Sequence, residues 1–407
     1  MKLFGIEQRQ PKRFVAGTHR TRSPRETLDD YRRFMPLLGI TRLANVTGLD
    51  FIGIPVFMAV RPNSRVLAVS QGKGLDPDAA RASALMETIE HWHAERMDLP
   101  LRFDSYQSLL RAGERTVRAL EDLPRLPGSR IPHDRPLLWV RGHDLFTDAA
   151  TWIPEECAGL NMVLPQGQAP LFLRGGNGLA SGNHPLEAVT HALLEAIERD
   201  AVTLWHLDDD ADDTKATQVD LATIDDPLCL SCLQRIQAAK LNVAVWDATS
   251  DLGIPAYVST IFDDPEPGAV GAFSGYGCHL SPGIALLRAL TEAVQSRLTV
   301  ISGSRDDMLP AMYERQGHEE MLTIMREEVL DVPARLDFRA RTALSTNTFE
   351  DDLALLLGAL EGAALTEAVA LDFSRAEIGI PVVKVVVPGL AAYHGHPHEP
   401  GPRERAR

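Results

Sequence analysis

Three segments of this chain repeat one helical pattern, and each repeat follows a short glycine-bearing stretch. The repeats begin at Pro77, Pro185 and Pro282, and Pro, Ala, Ala-Leu and Glu recur in them at the same offsets. Proline is favoured at the first position of a helix because its missing N–H would be unpaired there. The glycine-bearing stretches read S-Q-G-K-G, G-G-N-G-L-A-S-G-N and S-G-Y-G-C-H. The pattern therefore predicts three copies of a Gly-rich loop followed by a helix.

Acidic side chains recur one helical turn apart in the first two repeats. Glu87 and Glu90 form one pair, Glu195 and Glu198 form another, and the third repeat ends in Gln295. Residues three apart on a helix are neighbours, and two unit charges about 4 Å apart repel by roughly 4 kcal/mol at an effective dielectric near 20. Facing pairs would need cations between them, and oxygen ligands without histidine favour Mg²⁺ over zinc or iron. A single E-x-x-E pair is most often a solvated helix face, but two matched pairs favour a metal site.

The composition excludes several classes of function. The chain has 407 residues, 44% of them hydrophobic, and a formal net charge of −15, so a large core is expected and general nucleic-acid affinity is not. No apolar run approaches the roughly 18 residues of a membrane span, and none follows the N-terminal charges in the way typical of a signal peptide; a cytoplasmic location is expected. Cys229 and Cys232 form a C-x-x-C pair without a second pair at zinc spacing, which favours a structural role.

The chain divides into three parts. Residues 1–37 form an arm rich in Lys and Arg, either a contact for a partner protein or acidic peptide, or a partly disordered leader. Residues 38–390 are expected to form one α/β (α+β) domain, with repeated Gly-loop and helix units around mixed sheets. Within it, residues 105–125 are predicted to be helical. Residues 391–407 are expected to be a flexible tail, with histidines at 394, 396 and 398.

None of the glycine stretches is a standard phosphate loop. Gly72-Lys73-Gly74 lacks the upstream glycine and the following Ser or Thr of a P-loop, and no stretch fits G-x-G-x-x-G. A bound nucleotide would instead be held by loop N–H groups and Lys73, with Mg²⁺ bridging its phosphates to the glutamates. Arg199 and Arg297 lie close in sequence to the acidic or amide positions, where an arginine neutralises phosphate charge or only forms a surface ion pair.

Taken together, these residues resemble the YcaO family over roughly residues 38–390. The resemblance is carried by G-I-T-R-L-A-N-V-T-G-L-D-F-I-G-I-P-V, S-Q-G-K-G, A-x-x-S-A-L-M-E-T-I-E, G-N-H-P-L-E-A-V-T-H-A-L-L-E-A-I-E-R-D-A and R-A-L-T-E-A-V-Q-S-R. It implies a YcaO-type fold and an ATP-dependent enzyme that activates peptide backbone amides, with ATP and Mg²⁺ as cofactors.

The resemblance also implies roles for individual residues. The metal-binding positions that it implies are Glu87, Glu90, Glu195 and Glu198. The ATP-binding positions that it implies are Ser70, Lys73, Ser83, Asn183, Glu187, Arg199 and Arg297. Arg199 and Arg297 are also the expected catalytic residues. The family's N-terminal phosphate contacts are assigned only loosely, to Arg42 and Thr47.

Two departures from the family pattern bear on the product. Azoline-forming members end in P-x-P-x-P, whereas this chain ends in H-P-H-E-P-G-P-R-E-R-A-R, and no fused peptide-binding or E1-like domain is recognised in it. The N-terminal run through G-I-P-V is similar to stand-alone members paired with TfuA-like proteins, which are linked to thioamidation. Thioamide formation on a peptide, by a homodimer with a TfuA-like partner, is therefore favoured. An azoline-forming cyclodehydratase, a non-catalytic scaffold or regulator and a Mg²⁺ phosphohydrolase remain open.

Overall fold

The computed structural model of the chain describes residues 2–163, 170–207, 216–305, 307–308, 313, 319–330, 334–391 and 397–407. Helices and short strands alternate along it, which confirms the predicted α/β class. The strands are β1 (Lys2–Leu3), β2 (Ile6–Glu7), β3 (Arg42–Asn45), β4 (Val56–Val60), β5 (Val69–Lys73), β6 (Leu101–Ser105), β7 (Pro136–Asp144), β8 (Ala149–Pro154), β9 (Leu179–Ser181), β10 (Asn242–Asp247), β11 (Ala256–Phe262), β12 (Ala272–Cys278), β13 (Val369–Asp372) and β14 (Val382–Val386). The α-helices are α1 (Pro24–Tyr31), α2 (Met35–Leu38), α3 (Pro77–Ala94), α4 (Tyr106–Arg111), α5 (Glu155–Ala158), α6 (Pro185–Leu207), α7 (Pro227–Ala238), α8 (Pro282–Ser302), α9 (Glu319–Val329), α10 (Phe349–Gly362) and α11 (Pro402–Arg405).

Three sheets carry the repeated units. Their strand orders are β3-β4-β5, then β6-β7-β13-β14-β9 with β8 beside β7, and β10-β11-β12, while β1 and β2 form a separate small ribbon. Every pairing between these named strands is antiparallel. The strand that precedes each repeat helix, β5, β9 or β12, is an edge strand of its sheet.

The three strand–helix units close into a ring. Helix α3 packs against its own strand β5 and against β9 of the second unit; α6 packs against β9 and β12; and α8 packs against β12 and back against β5. Each helix therefore spans from its own sheet to the edge of the next one. This cyclic arrangement brings equivalent helix faces toward a common centre.

Some glycines of the repeats lie in strands rather than in phosphate-type loops. Gly72 belongs to β5 and Gly275 to β12. A Cβ at position 72 would lie 2.0 Å from the backbone nitrogen of Ala84, and one at position 275 would lie 2.2 Å from the backbone oxygen of Ala289. These contacts are far below van der Waals distance, so glycine is required because the strand lies directly on its helix.

The repeat helices begin where proline and a capping residue predict. The Asp76 side chain accepts a hydrogen bond from the Ala79 N–H at 2.9 Å at the start of α3. At the start of α6, the ring nitrogen Nδ1 of His184 accepts from the Leu186 N–H at 3.2 Å. Histidine thus supplies the capping acceptor in the second unit, although it is a less common capping residue than Asp or Ser.

The N-terminal arm packs on the body of the protein and is not a free leader. The Lys12 ammonium and the Asp352 carboxylate form a buried ion pair at 2.5 Å. Phe14 and Arg20 exchange backbone hydrogen bonds at 2.9 and 2.8 Å, which closes a short hairpin. The Thr21 N–H and hydroxyl both donate to the Glu187 carboxylate of α6. The arm is therefore part of the folded domain.

The described part of the C-terminal tail is also docked. The Arg403 guanidinium donates to both oxygens of the buried Asp200 carboxylate, at 2.8 and 2.9 Å. The Glu399 N–H donates to the Arg125 carbonyl at 3.0 Å. The expectation of a flexible tail is wrong for residues 397–407, because these contacts fix it behind α6. His394 and His396 lie outside the described residues.

Three smaller expectations have clear outcomes. The thiols of Cys229 and Cys232 are buried, and burial raises the pKa of both, as suits a structural role. The helix predicted over residues 105–125 is limited to α4, because the chain turns at Gly113, whose φ is +73°. Across the described segments, no helix combines the length and apolar character needed to cross a membrane.

Candidate active site

A deep cavity of about 1010 Å³ receives side chains from all three strand–helix units and from the N-terminal arm. Most of the residues expected to bind metal or ATP line its wall. These are Lys73, Ser83, Glu87, Glu90, Asn183, Glu187, Glu195, Glu198 and Arg199. The ring of units thus brings together residues from distant parts of the sequence.

Backbone N–H groups of the edge strands hold the acidic side chains in place. The Glu90 carboxylate accepts from the Ser181 N–H at 2.8 Å and from its hydroxyl at 2.6 Å. The Glu198 carboxylate accepts from the Cys278 N–H at 2.9 Å. In both cases the second acid of one unit is anchored on the edge strand of the next unit. Hydrogen bonds from N–H groups to charged carboxylates fix their orientation.

The first acids of the units follow a second rule, which includes a residue of the third repeat. Glu87 accepts from the backbone N–H of Gln71, and Glu292 accepts from that of Tyr276. In each unit the donor lies in the strand directly before the helix, and the offset between donor and acid is the same. In the second unit, the equivalent donor Leu179 bonds instead to the Gly176 carbonyl.

The enclosed position of these carboxyls shifts their proton affinity. Burial raises the pKa of Glu90 to about 8, with Ser181 opposing the shift and the other acids adding to it. Burial likewise raises the pKa of Glu87 and of Glu195 to about 7, and it raises that of Glu198. Glu292 is the exception: burial favours a higher pKa, but Lys73 and Arg199 outweigh it and lower the pKa. A bound cation would therefore replace protons at the first four positions.

The arrangement fits a metal that is shared with a phosphate ligand. No group of three His, Cys, Asp or Glu side chains in the described part of the chain is close enough to form a complete metal cage. Mg²⁺ commonly takes only one or two protein carboxylates and completes its octahedron with water and substrate phosphates. Buried acids on facing helices, with raised pKa values, are suitable partners for such an ion.

Basic side chains face the same cavity. The Lys73 ammonium contacts the Glu292 carboxylate at 2.5 Å, and the Arg199 guanidinium lies 3.5 Å from that of Glu198. Arg288 donates to the Cys278 carbonyl at 3.2 Å, and burial lowers its pKa to about 10. Because positive and negative groups alternate on one wall, the cavity suits a polyanion bound through cations and guanidinium groups.

One end of the cavity is organised by the N-terminal arm. The Asn183 amide lies 3.4 Å from Glu187, and the Thr27 hydroxyl donates to the Asn183 carbonyl oxygen at 3.1 Å. Glu187 is buried and is also held by Thr21 and, at 3.9 Å, by Arg20. Asn183 and Glu187, expected at the nucleotide, therefore belong to one hydrogen-bonded network with the arm.

Two predicted residues lie elsewhere. Ser70 is buried behind the wall, where its hydroxyl contacts the His91 ring at 3.3 Å. Arg297 is not among the cavity-lining residues; it is buried and paired with Asp50 at 2.8 Å and Asp263 at 2.7 Å. Two carboxylates already neutralise this guanidinium, so its expected place beside the phosphates is corrected to a structural position.

Sequence reasoning missed two parts of the cavity wall. Glu292 occupies the same repeat offset as Glu87 and Glu195, and that offset was a sufficient signal. Arg20 and Arg22 come from the arm, whose composition gave no sign of where it folds. Arg42 and Thr47, the loosely assigned phosphate contacts, are not among the lining residues.

Acids held by backbone N–H groups, with bases around the same cavity, define a protein that binds a divalent cation together with a polyanion. A family model described as YcaO cyclodehydratase, ATP- and Mg²⁺-binding, matches residues 71–391. The chain belongs to the YcaO family, which confirms the resemblance, and ATP and Mg²⁺ are its cofactors.

Curated relatives extend over nearly the whole chain. An uncharacterized protein of Methanothermobacter thermautotrophicus is 35% identical over 389 residues, covering 94% of this chain and 98% of the relative. A Rhizobium leguminosarum bv. trifolii protein, named as an uncharacterized protein in the tfuA 3′ region, is 34% identical over 374 residues, covering 90% and 87%.

Solved structures share the fold at low sequence identity. YcaO from Methanopyrus kandleri, bound with AMPPCP and Mg²⁺, has a TM-score of 0.71 at 20% identity and 94% coverage of both chains. A heterocyclase in complex with substrate and cofactor has a TM-score of 0.74 at 22% identity, covering 95% of this chain and 54% of the other. The chain thus spans about half of that heterocyclase.

Proposed function

We propose that this protein uses ATP and Mg²⁺ to activate a peptide backbone amide by phosphorylating its oxygen, for thioamide formation. The observation that carries the proposal is the convergence of Glu87, Glu90, Glu195 and Glu198 on one cavity that also presents Lys73 and Arg199. Such a site positions a phosphoryl group and neutralises its charge, which is the main task of proteins in phosphoryl transfer.

The proposed reaction needs little covalent chemistry from the protein. A sulfide nucleophile adds to the amide carbon, and the resulting oxyanion takes the γ-phosphoryl group that ATP supplies. Phosphate then departs with the former amide oxygen, leaving the thioamide, ADP and inorganic phosphate. With a Cys, Ser or Thr side chain as nucleophile, the same steps give an azoline ring.

The chain's own residues would divide this task. The four glutamates would hold Mg²⁺, while Ser83, Asn183 and Glu187 would contact the nucleotide. Lys73 and Arg199 would neutralise charge on the transferred group, and Arg199 is the proposed catalytic residue. The Glu90 and Glu198 carboxylates are held in advance by edge-strand N–H groups, so these two need little reorganisation when the ligands bind.

The choice of thioamide over azoline rests on the relatives. A 34% identical protein carries the name of the tfuA 3′ region, and the N-terminal run through G-I-P-V is similar to TfuA-associated members. The proposal therefore includes a TfuA-like partner protein acting on a peptide substrate. A cytoplasmic location and a homodimer are further parts of the proposal. Azoline formation is the second candidate, favoured by the cyclodehydratase description of the family model.

Mass spectrometry of a peptide incubated with the protein, partner, Mg²⁺, ATP and sulfide tests the proposal. We expect the mass change of oxygen-to-sulfur exchange, with one ATP consumed per modification; loss of water would instead indicate the azoline. Glu87→Ala and Glu195→Ala should abolish the reaction, while the exposed Glu361→Ala serves as the matched control. ATP consumption that survives both cavity changes would overturn the metal assignment.

A further inference from the structure

Strand β12 presents one free edge to the cavity. It pairs with β11 on one side, with Gly277 opposite Tyr257 and Gly275 opposite Ser259. In the part of the chain that the structure describes, no strand pairs with its other side. The His279 N–H donates to the Pro255 carbonyl at 3.1 Å, so the odd-numbered residues direct their backbone groups toward β11. Because the pattern alternates, the even-numbered residues direct theirs away from it.

These outward groups reach the acids and bases of the site. The Cys278 N–H donates to Glu198 at 2.9 Å, and the Cys278 carbonyl accepts from Arg288 at 3.2 Å. The Tyr276 N–H donates to Glu292. One end of the free edge is therefore continuous with the proposed site of phosphoryl transfer.

The next outward position along the strand is Ser274, which lines the cavity. Its hydroxyl bonds to Thr260 at 2.9 Å on the sheet face. Its backbone N–H and C=O point outward, and no described residue shares a hydrogen bond with either of them. An edge that offers an unpaired donor and acceptor inside a cavity is a template for another extended chain.

Local packing makes this edge rigid and accessible. The strand lies flush on α8, because a Cβ at Gly275 would approach the Ala289 carbonyl oxygen to 2.2 Å. Ser296, Thr299 and Val300 of α8 line the cavity near the same strand. The cavity of about 1010 Å³ is at the upper end of the size of small-molecule sites, roughly 300–1,000 Å³. There is room for a second ligand beside a nucleotide.

We propose that the substrate peptide binds as an added strand along the outer edge of β12, from Ala272 to Tyr276. This inference rests on the proposed function and names how its substrate is held. An extended peptide matches the edge because it offers a carbonyl to the Ser274 N–H and an N–H to the Ser274 carbonyl. Strand addition then delivers a main-chain amide beside Glu292 and Glu198, whatever the side chains of the peptide are.

The experiment measures binding rather than turnover. The probe is acetyl-Gly-Val-Gly-Val-Gly-amide, compared with the same peptide carrying sarcosine at its centre, both titrated in the presence of Mg²⁺ and AMPPCP. Ser274→Pro removes the outward N–H, and proline is tolerated on an edge strand where its missing N–H faces away from the sheet. Ser274→Ala, which keeps the backbone donor, is the matched control.

We expect the wild type and Ser274→Ala to bind the unmodified peptide alike. Ser274→Pro should weaken it at least about tenfold, which is 1.4 kcal/mol, and sarcosine should weaken binding to the wild type similarly. The proposal would be overturned if Ser274→Pro bound the unmodified peptide as tightly as the wild type does, or if the wild type bound the two peptides equally. Absence of binding to the wild type would also overturn it. If Ser274→Pro does not fold, the sarcosine comparison on the wild type decides alone.

Three further outcomes separate this inference from a role of the edge in nucleotide binding and from the proposed function. Loss of AMPPCP affinity in folded Ser274→Pro would show that the edge serves the nucleotide, which also overturns the proposal. Peptide binding that depends on the Ser274 N–H, in a protein that never modifies an amide, would leave the strand-addition site standing while the proposed function fails. Amide modification that is insensitive to Ser274→Pro would leave the proposed function standing while the strand-addition site fails.

Discussion

The Glu90 carboxylate of α3 accepts two hydrogen bonds from Ser181 at the end of β9, one from the N–H at 2.8 Å and one from the hydroxyl at 2.6 Å. The two residues belong to different strand–helix units. Glu198 and Cys278 repeat the relationship between the second and third units. The positions of Glu90 and Glu198 in the cavity are therefore set by the docking of one unit on the next.

Replacing the Ser181 hydroxyl tests this anchoring. In Ser181→Ala the backbone donor stays, but Glu90 loses one hydrogen bond to its charged form, an interaction worth about 1.5–3 kcal/mol. We expect the Mg²⁺ affinity, measured from the Mg²⁺ dependence of nucleotide binding, to fall by about tenfold or more. Ser250→Ala, outside the cavity wall, should leave it unchanged; a Ser181→Ala protein with wild-type Mg²⁺ affinity would contradict the anchoring role.

The raised carboxyl pKa values predict how stability depends on pH. Glu87, Glu90 and Glu195 titrate at about 7, 8 and 7 in the folded protein, against an ordinary value of 4.5. The folded state thus holds these protons more tightly than the unfolded state. Their contribution to stability is complete below about pH 4.5 and is lost as the pH rises through about 7 to 8.

Mg²⁺ with AMPPCP should offset that loss, because the cation takes the place of the protons. We expect the increase in melting temperature on adding both ligands to be larger near pH 8.5 than near pH 6. Differential scanning calorimetry measures it directly. In Glu87→Gln/Glu90→Gln the difference between the two pH values should shrink, and an increase that is larger at the lower pH would refute the assignment.

Glu292 should control the titration of its neighbours. Its charge raises the pKa of both Glu87 and Glu195, so Glu292→Gln is expected to shift the acidic limb of the pH profile for Mg²⁺-dependent nucleotide binding to lower pH. The control is Glu361→Gln on the exposed face of α10. A shift toward higher pH would contradict this expectation. It would show that freeing Lys73 from its ion pair with Glu292 has the larger effect.

Replacing Arg297 should lower the stability of the protein, whereas replacing Arg199 should lower its turnover. Removing the Arg297 side chain leaves Asp50 and Asp263 without their partner, and breaking a buried ion pair destabilises by about 3–5 kcal/mol. Arg297→Ala is therefore expected to unfold at lower denaturant concentration while the folded fraction binds nucleotide normally. Arg199→Ala should unfold near the wild-type midpoint but lose turnover. Normal stability with lost turnover in Arg297→Ala would restore the catalytic role that the sequence predicted for it.

Much of the site was predictable because the repeats are local patterns. The spacing of Glu87, Glu90, Glu195 and Glu198 identifies one face on each helix, and matched faces indicate a shared centre. The family and its cofactors, ATP and Mg²⁺, are confirmed on the same motifs. The same logic applied to Glu292 would have added the third unit.

What could not be predicted depends on contacts between distant segments. Gly72 and Gly275 look like loop residues in the sequence, yet their role is set by helices that pass within about 2 Å of the missing Cβ positions. Arginine is a common phosphate ligand, but the guanidinium of Arg297 is neutralised by the carboxylate of Asp50, which lies far away in the sequence. The ion pair of Lys12 with Asp352 fixes the arm, and no local signal connects those two residues.

The cyclic order of the three units has a consequence for how the protein is made. A chain leaving the ribosome completes the first two units long before β12 and α8 exist, and until then Glu198 has no strand to hold it and Lys73 has no acid to contact. The wall of the cavity, whose lining extends to Met308, is therefore complete only after α8 has been made.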